Sequence, residues 1–299
     1  MEHEINGILL LDKPVGPTSN EALQIVKKLF KAKKVGHTGS LDPIASGMLP
    51  ICFGRATKFS QFLLESDKYY QVTGKLGEIT ASGDSETPVL IKKEVNNLSI
   101  DNLEKILIKY RGNITQIPPM YSAIKYNGQP LYKLIRNGIE ITRNAREIKI
   151  YELKLNKFED NLINLTVHCS KGTYIRTLIE NIGTDLGCGA HVIALRRLSV
   201  GHYNKNAMVS LNNIKQLIYC KNLDSLNKLI LPIESILDGI PELILTQDMI
   251  FYLTTGNQIF IPGGPQSGIV KLKNKNNIFV GIGQVMSNGN IVSKKMLPI

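Results

Sequence analysis

A glycine-bounded loop places one histidine and one carboxylate among small residues, in the stretch GHTGSLDPIASG at residues 36–47. Asp42 could act there as a nucleophile or a general base, and the neighbouring glycines allow the backbone to approach a flat ligand closely. An aspartate before a proline is also a common turn residue, which is the structural alternative. The functional interpretation requires a basic partner elsewhere in the chain, because the ionised form of a lone catalytic carboxylate has to be stabilised.

The segment CSKGTYIRTLIENIG, residues 169–183, supplies such a partner. Its pattern predicts the end of a strand followed by the start of a helix, where sheet enzymes commonly place functional groups. Lys171, Tyr174 and Arg176 lie at that junction, and the Arg176 guanidinium could contact a carboxylate through two nitrogens. The alternative is a helix start that carries solvated charges.

A tyrosine in the stretch KYYQVTGKLG, residues 68–77, is the third candidate. Its period of two predicts a strand with Tyr70, Val72, Gly74 and Leu76 on one face. Tyr70 therefore points inward, either as part of the core or as a platform on which a base could stack.

Several other chemistries are not supported by the sequence. Neither the P-loop pattern nor the dinucleotide fingerprint is present, and no elbow of the type G-x-S-x-G surrounds a serine. A zinc site is also not expected at the one cluster with suggestive spacing, because neighbouring residues of a strand point to opposite faces. That cluster is His168, Cys169, Cys188 and His191. We expect no metal and no cofactor.

Composition indicates a basic protein with two domains. The 299 residues carry a formal net charge of +11, which favours a polyanionic partner such as nucleic acid. No apolar run approaches the roughly 20 residues of a membrane span, and the first residues do not resemble a secretory leader. Four scattered cysteines are typical of a reducing compartment, so we expect free thiols and a cytoplasmic location.

The remaining patterns predict an α+β fold. A strand, a Pro/Gly turn and a helix open the chain, and the capping box of that helix is formed by Thr18 and Glu21. Consecutive strand patterns at REIKIYELKL and NLINLTVHCS imply antiparallel pairing, so the sheet is mixed. After Pro241 the patterns predict a small unit of short strands.

Six long motifs follow one another along the chain: LLLDKPVGPTS, KVGHTGSLDPIASGMLPICFGRATKF, SDKYYQV, IPPMYSAIKYNGQPLYKLIRNGIEITR, CSKGTYIRTLIENIG and HVIALRRLSVG. In this order they resemble the motifs of the TruB family, the bacterial tRNA pseudouridine synthases that modify uridine 55 in the T-loop. The resemblance spans residues 5–203, and GHTGSLDP is the family signature. One departure is GDSETPV, which has Asp84 and Glu86 but lacks the Glu-Gly pair that usually follows the aspartate.

The resemblance implies a pseudouridine synthase fold with a mixed, largely antiparallel central sheet and a small β-rich PUA-like domain. Residues 1–238 would form the catalytic domain, with residues 118–145 as an RNA-binding thumb segment, and residues 239–299 the PUA-like RNA-binding domain. It also implies a monomer that acts on the T-stem-loop of tRNA without a protein partner, a cofactor or a membrane. A tRNA-folding chaperone role is compatible with the same sequence.

Functional residues are implied one by one. Asp42 matches the catalytic aspartate, Tyr70 the tyrosine that packs on the target base, and Arg176 the arginine that contacts the aspartate. His37 matches the histidine that occupies the space left by extruded bases. The other implied substrate-binding residues are Tyr174, Lys13, Lys171 and Leu198.

Two alternatives remain at this point. One is an RNA-binding or RNA-folding protein without catalysis. The other is the guide-dependent archaeal and eukaryotic relative, which has the same signature, although the length of this chain and the lack of a long basic tail favour the stand-alone enzyme.

Overall fold

The structure is a computed structural model that describes residues 4–96 and 98–298. Its strands are β1 (Gly7–Lys13), β2 (Val35–His37), β3 (Ala45–Phe53), β4 (Lys68–Leu76), β5 (Glu78–Thr80), β6 (Val89–Lys92), β7 (Gly112–Gln116), β8 (Lys125–Tyr126), β9 (Gln129–Pro130), β10 (Arg146–Glu159), β11 (Leu162–Cys169), β12 (Ala190–Val200), β13 (Val209–Ser210), β14 (Glu242–Leu245), β15 (Ile259–Phe260), β16 (Gly268–Asn274), β17 (Phe279–Val285) and β18 (Asn290–Met296). Its α-helices are α1 (Ser19–Leu29), α2 (Ser60–Leu64), α3 (Ile100–Ile108), α4 (Leu131–Arg136), α5 (Ile175–Asp185), α6 (Leu211–Tyr219), α7 (Leu223–Lys228) and α8 (Gln247–Thr254). Short 3-10 helices cover Gly54–Phe59, Lys205–Ala207 and Ile233–Leu237.

A mixed sheet of nine strands forms the centre of the fold. Its order is β13-β1-β3-β12-β4-β11-β10-β7, with β2 paired to β3 outside this path. The pairs β1 with β13 and β3 with β12 are parallel, and the other pairs are antiparallel. The predicted mixed, largely antiparallel sheet is therefore confirmed.

Helix α1 begins as the sequence predicts. The Thr18 side chain accepts from the Glu21 amide at 3.2 Å, and the Glu21 carboxylate accepts from the Thr18 amide at 2.7 Å. This reciprocal pair satisfies two amides that the first turn would otherwise leave without partners. The cap fixes the end of α1 that faces the loop containing Asp42.

Helix α5 packs closely against the middle of β4. Gly74 permits this approach, since a Cβ atom there would lie 2.8 Å from the Ile179 side chain. Alternation along β4 buries Tyr70, Val72, Gly74 and Leu76 on the face that α5 covers, as the sequence predicts. This close packing fixes the distance between the sheet and the start of α5, where Arg176 lies.

A second sheet of five strands follows, in the order β14-β16-β17-β18-β15. Helix α8 packs on it through Ile250 and Leu253, and the sequence analysis missed this helix between two strands. A further core joins this sheet to the nine-stranded one, with Ile8 and Leu10 on one side and Ile282 and Leu297 on the other. The domain boundary after residue 238 stays a prediction.

Two predicted properties concern the whole chain. The four cysteines are free thiols, as expected. Within the described residues, none of the helices has both the length and the apolar character that crossing a bilayer requires.

Candidate active site

The loop that carries Asp42 joins β2 to β3 and is attached to the start of α1. The buried Ser19 hydroxyl donates to the Leu41 carbonyl at 2.9 Å and accepts from the Leu41 amide at 2.6 Å. On the other side of the aspartate, the Pro43 carbonyl accepts from the Gly16 amide at 2.9 Å. These bonds fix the backbone on both sides of Asp42, so its carboxylate is presented by a rigid turn.

Arg176 faces the Asp42 carboxylate with two of its nitrogens. Its Nε donates to Asp42 Oδ2 at 2.9 Å, and its Nη2 lies 3.4 Å from Asp42 Oδ1. The rest of the guanidinium donates to the carbonyl oxygens of Ser82 at 2.7 Å and Tyr121 at 2.6 Å. Asp84, which is 1% exposed, approaches Arg176 Nη1 at 3.6 Å. Four hydrogen bonds and the nearby Asp84 charge therefore hold the planar guanidinium in one orientation toward Asp42.

The pKa of Asp42 depends on the burial of its carboxyl group and on the charges of these neighbours. Burial raises the pKa of the carboxyl group, the Arg176 charge opposes that rise, and the negative charge of Asp84 adds to it. The net direction is upward. A carboxylate with a raised pKa is a stronger base and nucleophile than an exposed one, and the Arg176 charge favours its ionised form.

Lys13 is a second cation close to this carboxylate. It is completely buried at the end of β1, and its ammonium donates to the carbonyl oxygens of Pro14 at 2.8 Å and Pro17 at 2.7 Å. Burial lowers the pKa of Lys13 to about 8, with the Asp42 charge acting in the opposite direction. Lys13 thus belongs to the electrostatic environment of Asp42 and also braces the turn after β1.

Tyr70 lies beside a buried arginine that the sequence analysis did not identify. Tyr70 is 8% exposed, and its register partner on β12 is Arg197. Arg197 Nε donates to the Met48 carbonyl at 2.7 Å, and its Nη2 donates to the Gly39 carbonyl at 3.1 Å. Burial raises the pKa of the Tyr70 phenol, so the ring is neutral at physiological pH. Arg197 therefore connects the Tyr70 strand to the loop that carries Asp42.

His37 and Tyr174 lie on the segments that lead into the site. His37 ends β2 opposite Ile51, and its Nδ1 is buried without a hydrogen-bond partner among the described residues. Burial lowers the pKa of His37, which favours a neutral imidazole. Tyr174 precedes α5, and its backbone amide and carbonyl bond the Gln116 side chain at 2.8 and 3.0 Å. Gln116 thus fixes the backbone two residues before Arg176.

The two remaining predicted substrate-binding residues form no bond with Asp42 within the described part of the chain. Lys171 is exposed and forms an ion pair with Glu65. Leu198 is half-buried on β12, next to Arg197. The structure therefore brings Asp42, Arg176 and Lys13 together, whereas Lys171 is paired with Glu65.

Asp84, Arg197 and Ser19 are the functional candidates that sequence reasoning missed. Asp84 lies in the stretch GDSETPV, but nothing in that local pattern connects it to Arg176, which is far away in the sequence. The arginine pair in LRRLSV did contain a signal, since alternation along a strand turns one of two neighbouring arginines inward. Glu86 supports the site as well, because its carboxylate accepts from the Ile44 amide at 3.0 Å.

The four residues with spacing suggestive of a zinc site, His168, Cys169, Cys188 and His191, do not form a metal-binding group in the described part of the fold. His168 stacks on Tyr69 with ring centroids 4.3 Å apart, whereas Cys169 is buried in the core on the other face of β11. Within residues 4–96 and 98–298, no three histidine, cysteine, aspartate or glutamate side chains are grouped as metal ligands would be.

Similarity to known proteins covers almost the whole chain. Residues 27–175 match the family described as TruB family pseudouridylate synthase (N terminal domain). Residues 176–238 match the tRNA pseudouridylate synthase B C-terminal domain, and residues 241–297 match Pseudouridine synthase II TruB, C-terminal. The family assignment thus extends beyond the motifs between residues 5 and 203 to the five-stranded sheet.

Individual relatives agree with this assignment. A protein of Coxiella burnetii (strain RSA 493 / Nine Mile phase I), named tRNA pseudouridine synthase B, is 52% identical over 293 residues, which are 98% of this chain and 95% of that protein. A protein of the same name from Vibrio cholerae serotype O1 (strain M66-2) is 44% identical over 300 residues, covering 98% of this chain and 96% of that protein.

A solved structure supports the same assignment and the fold. A chain in the crystal structure of a Cbf5-Nop10-Gar1 complex is 26% identical and superimposes with a TM-score of 0.77, covering 99% of this chain and 86% of that one. The predicted pseudouridine synthase fold is confirmed by this similarity. The chain therefore belongs to the TruB family of pseudouridine synthases, which are isomerases.

Proposed function

We propose that this protein converts uridine 55 in the T-loop of tRNA to pseudouridine, acting alone and with Asp42 as the catalytic carboxylate. The observation that carries the proposal is the contact between Asp42 and Arg176. A single carboxylate on a rigid turn is held there by a guanidinium that is itself fixed by two backbone carbonyls. The relatives named tRNA pseudouridine synthase B support the substrate class.

The reaction breaks the glycosidic bond between N1 of uracil and C1′ of the ribose, rotates the detached base and forms a bond from C5 to C1′. The proton on C5 is lost and N1 gains one, so the isomerisation needs neither an oxidant nor water. Asp42 has three possible targets in this scheme: C1′ of the ribose, the uracil ring, or the 2′ proton whose removal gives a glycal-like intermediate. A single carboxylate suits all three, whereas a second one that activated water would hydrolyse the detached sugar.

The base must leave its stack before Asp42 can reach it. We assign to Tyr70 the role of packing on the target base, and to His37 the role of filling the space that extruded bases leave. Tyr174, Lys13, Lys171 and Leu198 would bind the surrounding RNA. Arg176 would hold the Asp42 carboxylate in its reactive orientation.

The remaining parts of the chain would bind the rest of the substrate. Residues 118–145 would close over the T-loop as a thumb, and residues 239–299 would form a PUA-like RNA-binding domain next to the catalytic domain of residues 1–238. The net charge of +11 would attract the phosphates of tRNA while loop shape selects the target. We further propose that the protein works as a cytoplasmic monomer without a cofactor and that it can promote tRNA folding.

The test is tritium release from a T-loop minihelix labelled at C5 of the target uridine, with purified protein and no additions. We expect stoichiometric release by the wild type and none by Asp42→Asn, which should still bind tRNA. Asp101→Asn makes the same chemical change at an exposed position of α3 and should react normally.

Other outcomes would lead to the alternatives. No release from the wild type would favour a guide-dependent enzyme or a protein that only binds RNA. Full turnover by Asp42→Asn would remove Asp42 from the chemistry. A tRNA-folding activity that persists in Asp42→Asn would separate the chaperone role from catalysis.

A further inference from the structure

A groove of about 550 Å³ lies behind the Arg176 contact. Its walls are the segment 117–121, the side chains of Ile135 and Arg143, and the turn at residues 81–82, and its floor is the part of α5 that carries Thr177 and Glu180. Volumes of this size are typical of sites for small organic groups. Asp42, Tyr70 and Arg176 do not line it, so the groove is distinct from the place where the target base would react.

The floor of the groove carries two polar groups from α5. Thr177 is 9% exposed, and its hydroxyl has no hydrogen-bond partner in residues 4–96 and 98–298. Glu180 lies one turn further along, and its carboxylate occupies space that a side chain at position 83 would fill, since a Cβ on Gly83 would lie 2.7 Å from the carboxyl carbon. Burial raises the pKa of Glu180 to about 7, so this group can donate or accept a hydrogen bond near neutral pH.

The walls have a different character from the floor. Ile117, Pro118, Pro119 and Met120 form one apolar side, and Ile135 adds to it. At the rim, Arg143 Nη2 and Glu140 Oε1 lie 3.5 Å apart, so the arginine charge is balanced. Together with the acid on the floor, this balance disfavours a phosphate group. An apolar side next to hydrogen-bonding groups instead matches the face and the edge of a nucleobase.

We propose that this groove binds an unpaired nucleobase of the substrate RNA other than the target uridine, with Thr177 and Glu180 contacting the hydrogen-bonding edge of that base. The proposal rests on the proposed function, because it takes the ligand to be part of the same RNA. It adds a second recognition site, which would allow the protein to verify the loop while it holds the target.

The groove shares two residues with the hydrogen-bond shell of Arg176. Ser82 and Tyr121 line it, and their carbonyl oxygens accept from the Arg176 guanidinium. A base seated in the groove would therefore press on the same turns that orient Arg176 toward Asp42. Binding in the groove thus affects the rate as well as the affinity.

A double-mutant cycle between RNA and protein tests the proposal. The probes are T-loop minihelices in which each unpaired nucleotide except the target uridine is made abasic in turn, and the readout is the equilibrium dissociation constant. Removing the recognised base should weaken binding to the wild type by about 10-fold, the value for a lost pair of buried hydrogen bonds. The same removal should have almost no further effect on Thr177→Val or Glu180→Gln, because coupled groups are not additive.

Thr115→Val provides the matched control, since this threonine is exposed on β7 and lies outside the groove. Thermal unfolding of each variant confirms that it is folded. If the abasic effects were the same in the wild type and in both groove variants at every loop position, the groove would have no part in base recognition. This outcome is independent of tritium release from the intact minihelix, which decides the proposed function separately.

Discussion

Tyr70 and Arg197 are register partners on neighbouring antiparallel strands, and the same row of the sheet continues through Gly47 to Lys13. One level of four adjacent strands therefore supplies a tyrosine, a buried arginine and a buried lysine. Arg197 also bonds the Gly39 carbonyl, so the row supports the loop that carries Asp42. The geometry of the candidate site therefore depends on strand register as well as on the loop.

Gly47→Ala should test the importance of this register. Gly47 has φ +100°, and a Cβ there would lie 2.2 Å from the Arg197 carbonyl oxygen. Because that neighbour is backbone, we expect the free energy of unfolding to fall by about 3 kcal/mol or more, from strain and clash together. Urea unfolding measures the loss.

Gly128→Ala is the matched control for this substitution. Gly128 has φ +82° in the turn between β8 and β9, but a Cβ there meets nothing within 4 Å. It should cost only the backbone strain, about 1 kcal/mol. Equal losses at the two positions would show that the close approach of Gly47 to Arg197 is unimportant.

Arg176→Lys should impair catalysis severely. Lysine is a point charge that cannot reproduce the paired contacts to Asp42 together with those to the Ser82 and Tyr121 carbonyls. Loss of two or more charge-assisted hydrogen bonds corresponds to a decrease of roughly 100-fold or more in the single-turnover rate. The measurement is tritium release with enzyme in excess over the minihelix.

The chain offers a second arginine with similar geometry as a control. Arg196 contacts the Asp12 carboxylate through two nitrogens at 3.0 and 2.8 Å, but this pair lies on the other face of β12 and is partly exposed. Arg196→Lys should leave the rate close to that of the wild type. A normal rate in Arg176→Lys would remove Arg176 from the site.

Asp84→Asn should change the pH dependence in a defined direction. In the proposed mechanism Asp42 acts in its ionised form, so the rate should fall as the pH falls through its pKa, which burial raises above the ordinary value of 3.8. Asp84 adds to that rise through its negative charge. Removing the charge therefore lowers the pKa of Asp42, and the acid limb of the single-turnover profile should move to lower pH. The maximal rate should also decrease, by roughly 10-fold, because Arg176 loses a charged neighbour.

Glu78→Gln is the control for the pH profile. Glu78 pairs with Lys75 and Lys92 away from Asp42, so its loss should leave the acid limb in place. An acid limb that moves to higher pH in Asp84→Asn would contradict the electrostatic account of Asp42.

Much of the fold could be predicted from local sequence patterns. Alternation along β4 predicted the inward direction of Tyr70, and the capping box predicted the start of α1, because both depend on residues close in sequence. Helix α8 was missed because its eight residues are mostly apolar and stand between strand patterns. Short apolar runs do not distinguish a helix from a strand.

The site was less accessible to sequence reasoning than the fold. Asp42, Tyr70 and Arg176 were selected from their surroundings and from family motifs, but the shell that positions them is tertiary. The Ser82 carbonyl that orients Arg176 lies 94 residues away in the chain, and Arg197 meets Tyr70 only through strand pairing. Every residue has a backbone carbonyl, so residue types do not reveal which carbonyls bind a side chain. The Ser82 and Tyr121 carbonyls that hold Arg176 could therefore not be predicted.

Ser19→Ala should separate loop rigidity from overall stability. The Ser19 hydroxyl serves both the amide and the carbonyl of Leu41, next to Asp42, and it is 4% exposed. Its removal leaves two buried backbone groups unpaired, which should lower the free energy of unfolding by about 1–3 kcal/mol. The turnover should fall as well, because the turn loses its attachment at Leu41, while the bonds of Pro43 to Gly16 and of Ile44 to Glu86 remain.

Ser60→Ala removes a hydroxyl that lies outside the site and that, within residues 4–96 and 98–298, bonds the Thr57 carbonyl alone, at 3.0 Å. It should have little effect on turnover, whatever its small effect on stability. Urea unfolding and tritium release on both variants give the comparison. If Ser19→Ala lost stability but kept the wild-type rate, the bonds of Pro43 to Gly16 and of Ile44 to Glu86 would be sufficient to hold Asp42 in place. A loss of rate larger than that of Ser60→Ala at comparable stability would instead show that α1 positions the catalytic turn.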